Sequence, residues 1–421
     1  MIFSLDVQRA RKGDCLILHY GSKDDPGLAL IDGGPAQVYT PHLKPRFTQI
    51  RKARGFASNE SLPVDLMMVS HIDDDHINGI LELTKELVDA KVSKKQLPLK
   101  VRSFWHNTFD DIIGNRPDEL LAAVTASFGA AALSGEPDTE GLDPGAGMVL
   151  ASVEQGFRLR DDARMLGLRI NPEFEGKLVM TTDNGKSIDM GKGLRLIVAG
   201  PMKAELVALQ KDYDAWLKKH KDEKETKAAL ASFTDTSVAN LSSIVVLAEL
   251  VKKRMLLTGD ARGDKILEGL ERVGLLKKGG KMHVDILKVP HHGSDRNIEP
   301  IFFQRITANH YVFSGNGEHG NPERETLQML LDESGDEDFT IHLTYPIQEI
   351  DVERKKDWNK EQQKDKIRNK KNSKVRVREN WSPKKHSLTA FFTEHKNFAK
   401  KVSSIKDGEP HVINLLDKVG F

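Results

Sequence analysis

The sequence predicts an α/β fold of two sheets covered by helices, and three observations carry that expectation. Strand-like apolar runs alternate with segments of helical period in both halves of the chain. Short apolar runs bounded by turn-rich segments read as strands, that at 64–69 as a buried one. The runs at 64–69, 254–258 and 284–289 each end in a short loop bearing Asp or His, the place where α/β folds commonly hold their sites.

Composition bounds the rest. A chain of 421 residues, 38% hydrophobic, is long enough for one large domain with extensions or for two domains, and apolar enough to bury a core. Its 63 basic and 62 acidic residues nearly cancel, so no global attraction to nucleic acid or membrane is implied, and any such attraction must come from a local patch. The single cysteine, Cys15, excludes an internal disulfide and a Cys-rich zinc module; in the apolar run at 14–18 it reads as a buried thiol. The N-terminus has no basic region followed by a long apolar stretch, and no segment approaches the roughly 20 apolar residues of a membrane helix. The expected compartment is the cytoplasm, with no membrane partner.

The elements follow in order. Runs at 16–20 and 28–31 flank a turn-rich stretch and end at Asp32-Gly33-Gly34. The run at 64–69 is a buried strand, and Ile77, Ile80, Leu81 and Leu87 then recur at helical spacing. Residues 114–175 are rich in Ala, Gly, Asp and Pro and read as a partly helical insertion, with 120–132 the best helix. Asp183-Asn184-Gly185 predicts a hairpin turn, 194–198 a strand, and 204–227 a solvated helix. The second half contributes a hairpin from 244–250 and 254–258, a helix with Ile266, Leu267, Leu270 and Val273 on one face, strands at 284–289 and 311–313, and a helix at 322–331. Beyond about residue 350 the composition shifts: between Glu353 and His386 there are fourteen Lys/Arg against five acids. The expected division is a hydrolase-like domain over 1–345 and a basic C-terminal extension over 346–421.

The chemistry concentrates in His71-Ile72-Asp73-Asp74-Asp75-His76. Two histidines and up to three carboxylates within six residues after a buried strand are poor packing material, because Asp and His are costly to bury unpaired. A divalent cation would neutralise the carboxylates, and imidazole is a good ligand for such ions. The competing reading is a solvated acidic loop in which Asp75 caps the following helix. Asp260, at the end of Met255-Leu256-Leu257-Thr258-Gly259, and the pair His291-His292 before Gly293-Ser294 are weaker signals alone. Together the three strand ends supply enough His and Asp for a two-metal site.

His71-x-Asp73-x-Asp75-His76 resembles the HxHxDH signature of the metallo-β-lactamase superfamily, with Asp in place of its second His. Leu30-Ile31-Asp32-Gly33-Gly34 resembles the first motif of that family. Leu256-Leu257-Thr258-Gly259-Asp260 and Leu287-Lys288-Val289-Pro290-His291-His292-Gly293-Ser294 are similar to the hydrolase domain of ComEC-type DNA-uptake proteins. Leu196-Ile197-Val198-Ala199-Gly200-Pro201, Ser314-Gly315-Asn316 and Asn321-Pro322 fit that subgroup more loosely. The likeness spans about residues 3–331 outside the insertion. It implies an αββα sandwich with metals at one edge, one held by His71 and Asp73, the other by Asp75, His76 and His291 or His292. Asp260 would bridge them, and Asp32 would orient the loop from behind.

Three departures qualify the likeness. The family's third-motif histidine has no clear equivalent, His106 and the polar run beginning at Asn240 being the candidates. Asn321-Pro322 stands where the subgroup often has His-Pro. The membrane channel of ComEC-type proteins has no counterpart here, and DNA import is not expected.

The function expected is hydrolysis by a metal-bound hydroxide, with Asp75 handling the water proton and Asp260 holding the ions. Zinc and manganese are the candidate metals, the latter because Asp73 makes the site oxygen-rich. A phosphodiester is the first-choice substrate. The basic stretch, in particular Arg368, Lys370, Lys371, Arg376 and Arg378, with Trp358 and Trp381 for stacking, is compatible with a nucleic-acid strand; a solvated helix or linker is the competing reading. The alternatives are hydrolysis of a small ester or lactone, and a non-catalytic metal-binding interaction module. No Gly-x-Ser-x-Gly elbow surrounds Ser294, and no phosphate-cradling GxxxxGK[ST] loop is present.

Overall fold

The structure is a computed structural model; it describes residues 1–57, 59–107, 144–181, 185–204, 206–207, 242–335 and 337–421. The helix expected at 120–132, most of that at 204–227 and most of the turn at 183–185 lie outside the described residues.

Alternation of side chains along each strand explains why the apolar runs stack as layers. In β2 (Leu16–Gly21), Leu16, Leu18 and Tyr20 face one core and Ile17 another. The first sheet runs β14-β1-β2-β3-β4-β5, with β1 Ile2–Val7, β3 Pro26–Ile31, β4 Leu62–Met68, β5 Leu99–Trp105 and β14 His411–Asn414. β1, β2 and β3 form an antiparallel meander, and β3, β4 and β5 are parallel.

The second sheet runs β13-β12-β11-β10-β9-β8-β7-β6. Its strands are β6 Ser187–Gly191, β7 Leu194–Gly200, β8 Val245–Leu250, β9 Lys253–Leu257, β10 Met282–Lys288, β11 Ile306–Phe313, β12 Thr340–Leu343 and β13 Val402–Ser404. Strands β6 to β9 are antiparallel, and β9 to β13 are parallel. The β6–β7 hairpin turns at Gly191-Lys192-Gly193, where both glycines have positive φ.

Three cores follow from the layering. Between the sheets, Leu5, Leu18, Ile31 and Met68 meet Val246, Leu257, Ile286 and Val312. Outside the first sheet lie α1 (Lys44–Ala53), α2 (Asp74–Val92) and α3 (Pro144–Leu166), which bury Phe47, Ile80, Leu83 and Leu159. Outside the second lie α4 (Gly263–Arg272), α5 (Pro300–Arg305), α6 (Arg324–Ser334), α7 (Ile347–Lys371) and α8 (Leu388–Glu394), which bury Leu267, Phe302, Leu327, Ile350 and Phe391. The result is an αββα sandwich.

The last 76 residues, 346–421, enter the sandwich itself. β13 adds to the second sheet beside β12, and β14 returns to the first sheet antiparallel to β1. No helix of the described residues is long and apolar enough to cross a membrane.

Candidate metal centre

The ends of parallel strands from both sheets meet at one edge, and the polar loops named above converge there. The loop after β4 carries Ser70 to Asp73 between the sheets, and the Ile244 amide of the second sheet donates to the Ser70 carbonyl at 2.8 Å. The loop after β3 closes on the start of α2: the Gly33 amide donates to His76 O at 2.7 Å, and Gly79 to Gly34 O at 2.9 Å. A side chain at Gly33 would strike the Gly79–Ile80 backbone, so the Asp32-Gly33-Gly34 turn lies against the helix only because neither residue carries a Cβ. Asp32, His291 and His292 all adopt positive φ, a conformation costly for non-glycine residues and typical of sites that impose geometry.

Asp260 sits at the middle of the cluster, 2% exposed, and its two oxygens face different groups. Oδ1 lies 3.2 Å from His76 Nε2 and 3.4 Å from His292 Nε2. Oδ2 lies 3.6 Å from His291 Nε2 and 3.8 Å from His71 Nε2, and His71 Nε2 is 3.6 Å from Asp73 Oδ2. Asp75 is 4.0 Å from His76 Nε2 and 3.9 Å from His292 Nε2. Among the described residues three sets have ligand atoms all within 4.8 Å of one another: Asp14, Asp32 and His76 behind the cluster, and the two ligand sets that face its middle, Asp75, His76, Asp260 and His292 in one, His71, Asp73 and Asp75 in the other. The strand-end histidines thus divide: His292 lies with Asp75 and His76, and His291 lies on the His71 side of Asp260.

What the inner atoms lack is informative. The Nε2 atoms of His71, His76 and His292 and Asp260 Oδ1 are all buried and make no hydrogen bond. Such atoms are rarely left unsatisfied in folded proteins, because each costs about 1–3 kcal/mol. Their outward nitrogens are held instead. His76 Nδ1 is 2.8 Å from Asp32 Oδ2, His71 Nδ1 is 3.1 Å from Ser70 Oγ, and His292 Nδ1 is 2.9 Å from Ser314 Oγ. Asp32 also accepts from Ser70 N at 2.6 Å and Ser70 Oγ at 2.7 Å. Rings fixed by their outer nitrogen, with the inner one presented to a common point, are the arrangement that holds a divalent cation. The residues present therefore fit a metal.

In the metal-free protein these groups set one another's charge. Burial disfavours charge on His76, yet the Asp260 and Asp32 carboxylates outweigh it and hold its pKa well above 6.5. His292 is pushed up to about 9, Asp260 and then Asp14 overcoming burial and the charge of Lys288. Burial would raise Asp260, but His292, His291 and His76 hold its carboxyl well below the usual range. Asp75 is likewise lowered, burial being outweighed by His76 and His292.

Other expected residues fall elsewhere. Asp74 points to α3 and accepts from Gln155 and Asn78. Asp73 occupies the N-cap of α2 but makes no side-chain capping bond, so a capping role does not explain the acidic run. His106 is buried after β5, its backbone held by Asn171 and its ring against Phe104, and it joins neither ligand set. Asn240 lies outside the described residues, although Ser243 of the same polar run accepts from the Asp260 amide at 3.3 Å. Arg368, Lys370, Lys371 and Arg376 are exposed on or after α7, whereas Arg378 is tied to Asp365 at 2.8 Å. Trp358 stacks on His386 with centroids 4.0 Å apart and packs edge-on to Trp381, so both indoles serve the local fold.

Sequence reasoning missed Asp14, Lys288 and Ser314, which sit behind His292. Asp14 and Lys288 are fully buried, 2.5 Å apart, and Ser314 Oγ donates to the other oxygen of Asp14. The signal was a lysine inside the apolar run at 284–289 and an acid opening the run at 14–18.

No family model matches the chain, and no curated protein matches it. Among solved structures, a protein from Parabacteroides distasonis ATCC 8503, provisionally described as a metal-dependent hydrolase, aligns at 7% identity over 80% of this chain and 97% of its own length, with a TM-score of 0.30. A likeness that weak carries no argument.

Proposed function

We propose that this chain is a metal-dependent hydrolase acting on phosphodiesters, in the manner the metallo-β-lactamase and ComEC-type motifs imply. The observation that carries the reading is the convergence of three imidazole nitrogens and one carboxylate oxygen, all buried and without hydrogen bonds, at the meeting edge of the two sheets. Asp75, His76, Asp260 and His292 would hold one divalent ion, and His71, Asp73 and Asp75 a second, with Asp260 Oδ2 turned toward that side. A bound cation would supply Lewis acidity, activating water and stabilising the negative charge that develops on the phosphoryl oxygens. Oxygen donors from three aspartates make manganese a competitor to zinc.

The chain's own residues do the rest. Asp260, ionised and nearly inaccessible, fixes the spacing of the two ligand sets. Asp75, whose side chain is 20% exposed, reaches solvent and remains ionised, so it can accept a proton from water. The exposed Arg368, Lys370, Lys371 and Arg376 offer cations to a polyanionic substrate.

The test is turnover of a chromogenic phosphodiester by metal-stripped protein resupplied with zinc or manganese, beside an Asp75→Asn variant. Turnover restored by metal and lost in the variant supports the reading. Metal uptake with no turnover would overturn the diesterase assignment, and parallel assays on a small ester and a lactone would show whether another hydrolase takes its place.

A further inference from the structure

Behind His292 runs a chain of polar groups whose hydrogen-bond direction is forced from its far end. Lys288 Nζ can only donate, and it meets Asp14 Oδ2 at 2.5 Å in a site where both side chains are 1% exposed or less. The Asp14 carboxylate can only accept, so the Ser314 hydroxyl commits its hydrogen to Asp14 Oδ1. With its hydrogen spent, Ser314 Oγ faces His292 Nδ1 at 2.9 Å as an acceptor, and Asp14 Oδ1 stands 3.4 Å from the same nitrogen as a second. When the ring is neutral, as a metal ligand must be, His292 therefore carries its hydrogen on Nδ1, which leaves a lone pair on Nε2, the buried atom that faces Asp260 and Asp75.

The pair also touches the neighbouring strand ends. Thr258 Oγ1 donates to Lys288 O at 2.8 Å, and Lys288 Nζ is 3.5 Å from Gly259 O, one residue before Asp260. The Asp14 amide donates to Asp75 O at 3.2 Å. Gly13 makes that approach possible, since a Cβ there would stand 1.8 Å from the same carbonyl oxygen.

We infer that Lys288, Asp14 and Ser314 form a positioning relay that fixes His292 as an Nε2 metal ligand, the part Asp32 performs directly for His76. The inference rests on the metal reading above. None of the three touches a reacting atom. A fully buried Lys–Asp pair is a poor way to gain stability, since desolvating the two charges offsets their attraction; setting a tautomer explains its place beside the cluster.

Zinc titration of metal-stripped protein by calorimetry, with 15N-histidine spectra of the zinc-loaded form, tests this. In Asp14→Asn the amide must turn its oxygen to Lys288 and its NH2 to Ser314. That frees the serine hydrogen for His292 Nδ1 and reverses the relay. Zinc affinity at the Asp75–His76–Asp260–His292 set is expected to fall about 10–100-fold, the usual effect of losing a group that orients a ligand. The Nδ1–H signal of His292 should disappear with it. Ser314→Ala should weaken the same binding event, and Ser314→Thr should keep it. These two variants carry the test if Asp14→Asn fails to fold. Folded Asp14→Asn and Ser314→Ala proteins that bind zinc as the wild type does, with the Nδ1–H signal in place, would overturn the relay alone. A wild type that takes up no zinc would overturn the metal reading and the relay together.

Discussion

Two groups of histidines lie between the sheets of this protein, and they are wired in different ways. At the strand-end edge, His71, His76 and His292 are bonded outward through Nδ1 and present bare Nε2 atoms to carboxylates. Elsewhere in the interface, the half-buried His310 of β11 and the buried His342 of β12 and His411 of β14 bond to one another: His310 Nδ1 to His342 Nε2 at 3.1 Å, and His342 Nδ1 to His411 Nε2 at 2.9 Å. In the first group carboxylates overcome burial and raise His76 and His292. In the second, burial and neighbouring imidazoles lower His342 to about 3, and burial lowers His411 to about 4 against a weaker pull from Asp6. Residue type is alike in the two groups; the neighbouring carboxylates separate them. The second chain ties β14 of one sheet to β12 of the other through ring-to-ring bonds and leaves only His411 Nδ1 bare at its end, whereas the first turns three bare nitrogens toward shared carboxylates, an arrangement that suits a cation.

The largest effect should come from the residue that unites the first group. Asp260→Asn removes the charge shared by both ligand sets, and zinc uptake and phosphodiester turnover should fall to background. His310→Gln, in the second group, should alter neither. Equal zinc stoichiometry in wild type and Asp260→Asn, by elemental analysis, would break the contrast. Next in size is Asp32→Ala, which frees the outer nitrogen of His76 and should lower zinc affinity about 10–100-fold in a calorimetric titration.

pH separates the groups by sign. For His342 and His411 the folded pKa lies below the unfolded value near 6.5, so their contribution is whole above pH 6.5 and is lost as pH falls through about 4 and 3. The loss should be on the order of a few kcal/mol, seen as a lower urea midpoint at pH 4 than at pH 7. For His292 in metal-stripped protein the folded pKa of about 9 lies above the unfolded value, so its contribution is whole below pH 6.5 and is lost as pH rises through 9. Zinc requires the neutral ring, so saturating zinc should abolish that alkaline loss while leaving the acid loss unchanged. The smallest effect expected is proton release into weak buffer when zinc is added near neutral pH. Uptake without release would show that these rings are already neutral.

Much of this was legible along the chain. The layered α/β class and the strand positions at 16–20, 64–69, 194–198 and 284–289 followed from short apolar runs bounded by turn residues and alternating with segments of helical spacing. His71, Asp73, Asp75, His76, Asp260, His291 and His292 stood out because polar residues at the ends of apolar strands are expensive without a partner. The six-residue run did not show that Asp74 turns away to Gln155, because the start of a helix fans consecutive side chains in different directions.

What the sequence by itself determined is therefore local: where strands stop, and which chemistry stands at their ends. The tertiary structure alone decided which ends meet. Asp14 and Ser314 are 300 residues apart, and their contact exists only because strands of both sheets finish at one edge. It also decided which of two adjacent histidines lies with Asp75 and His76. At positive φ through both residues, His291 and His292 diverge to opposite oxygens of Asp260, a choice set by backbone geometry that residue spacing does not encode.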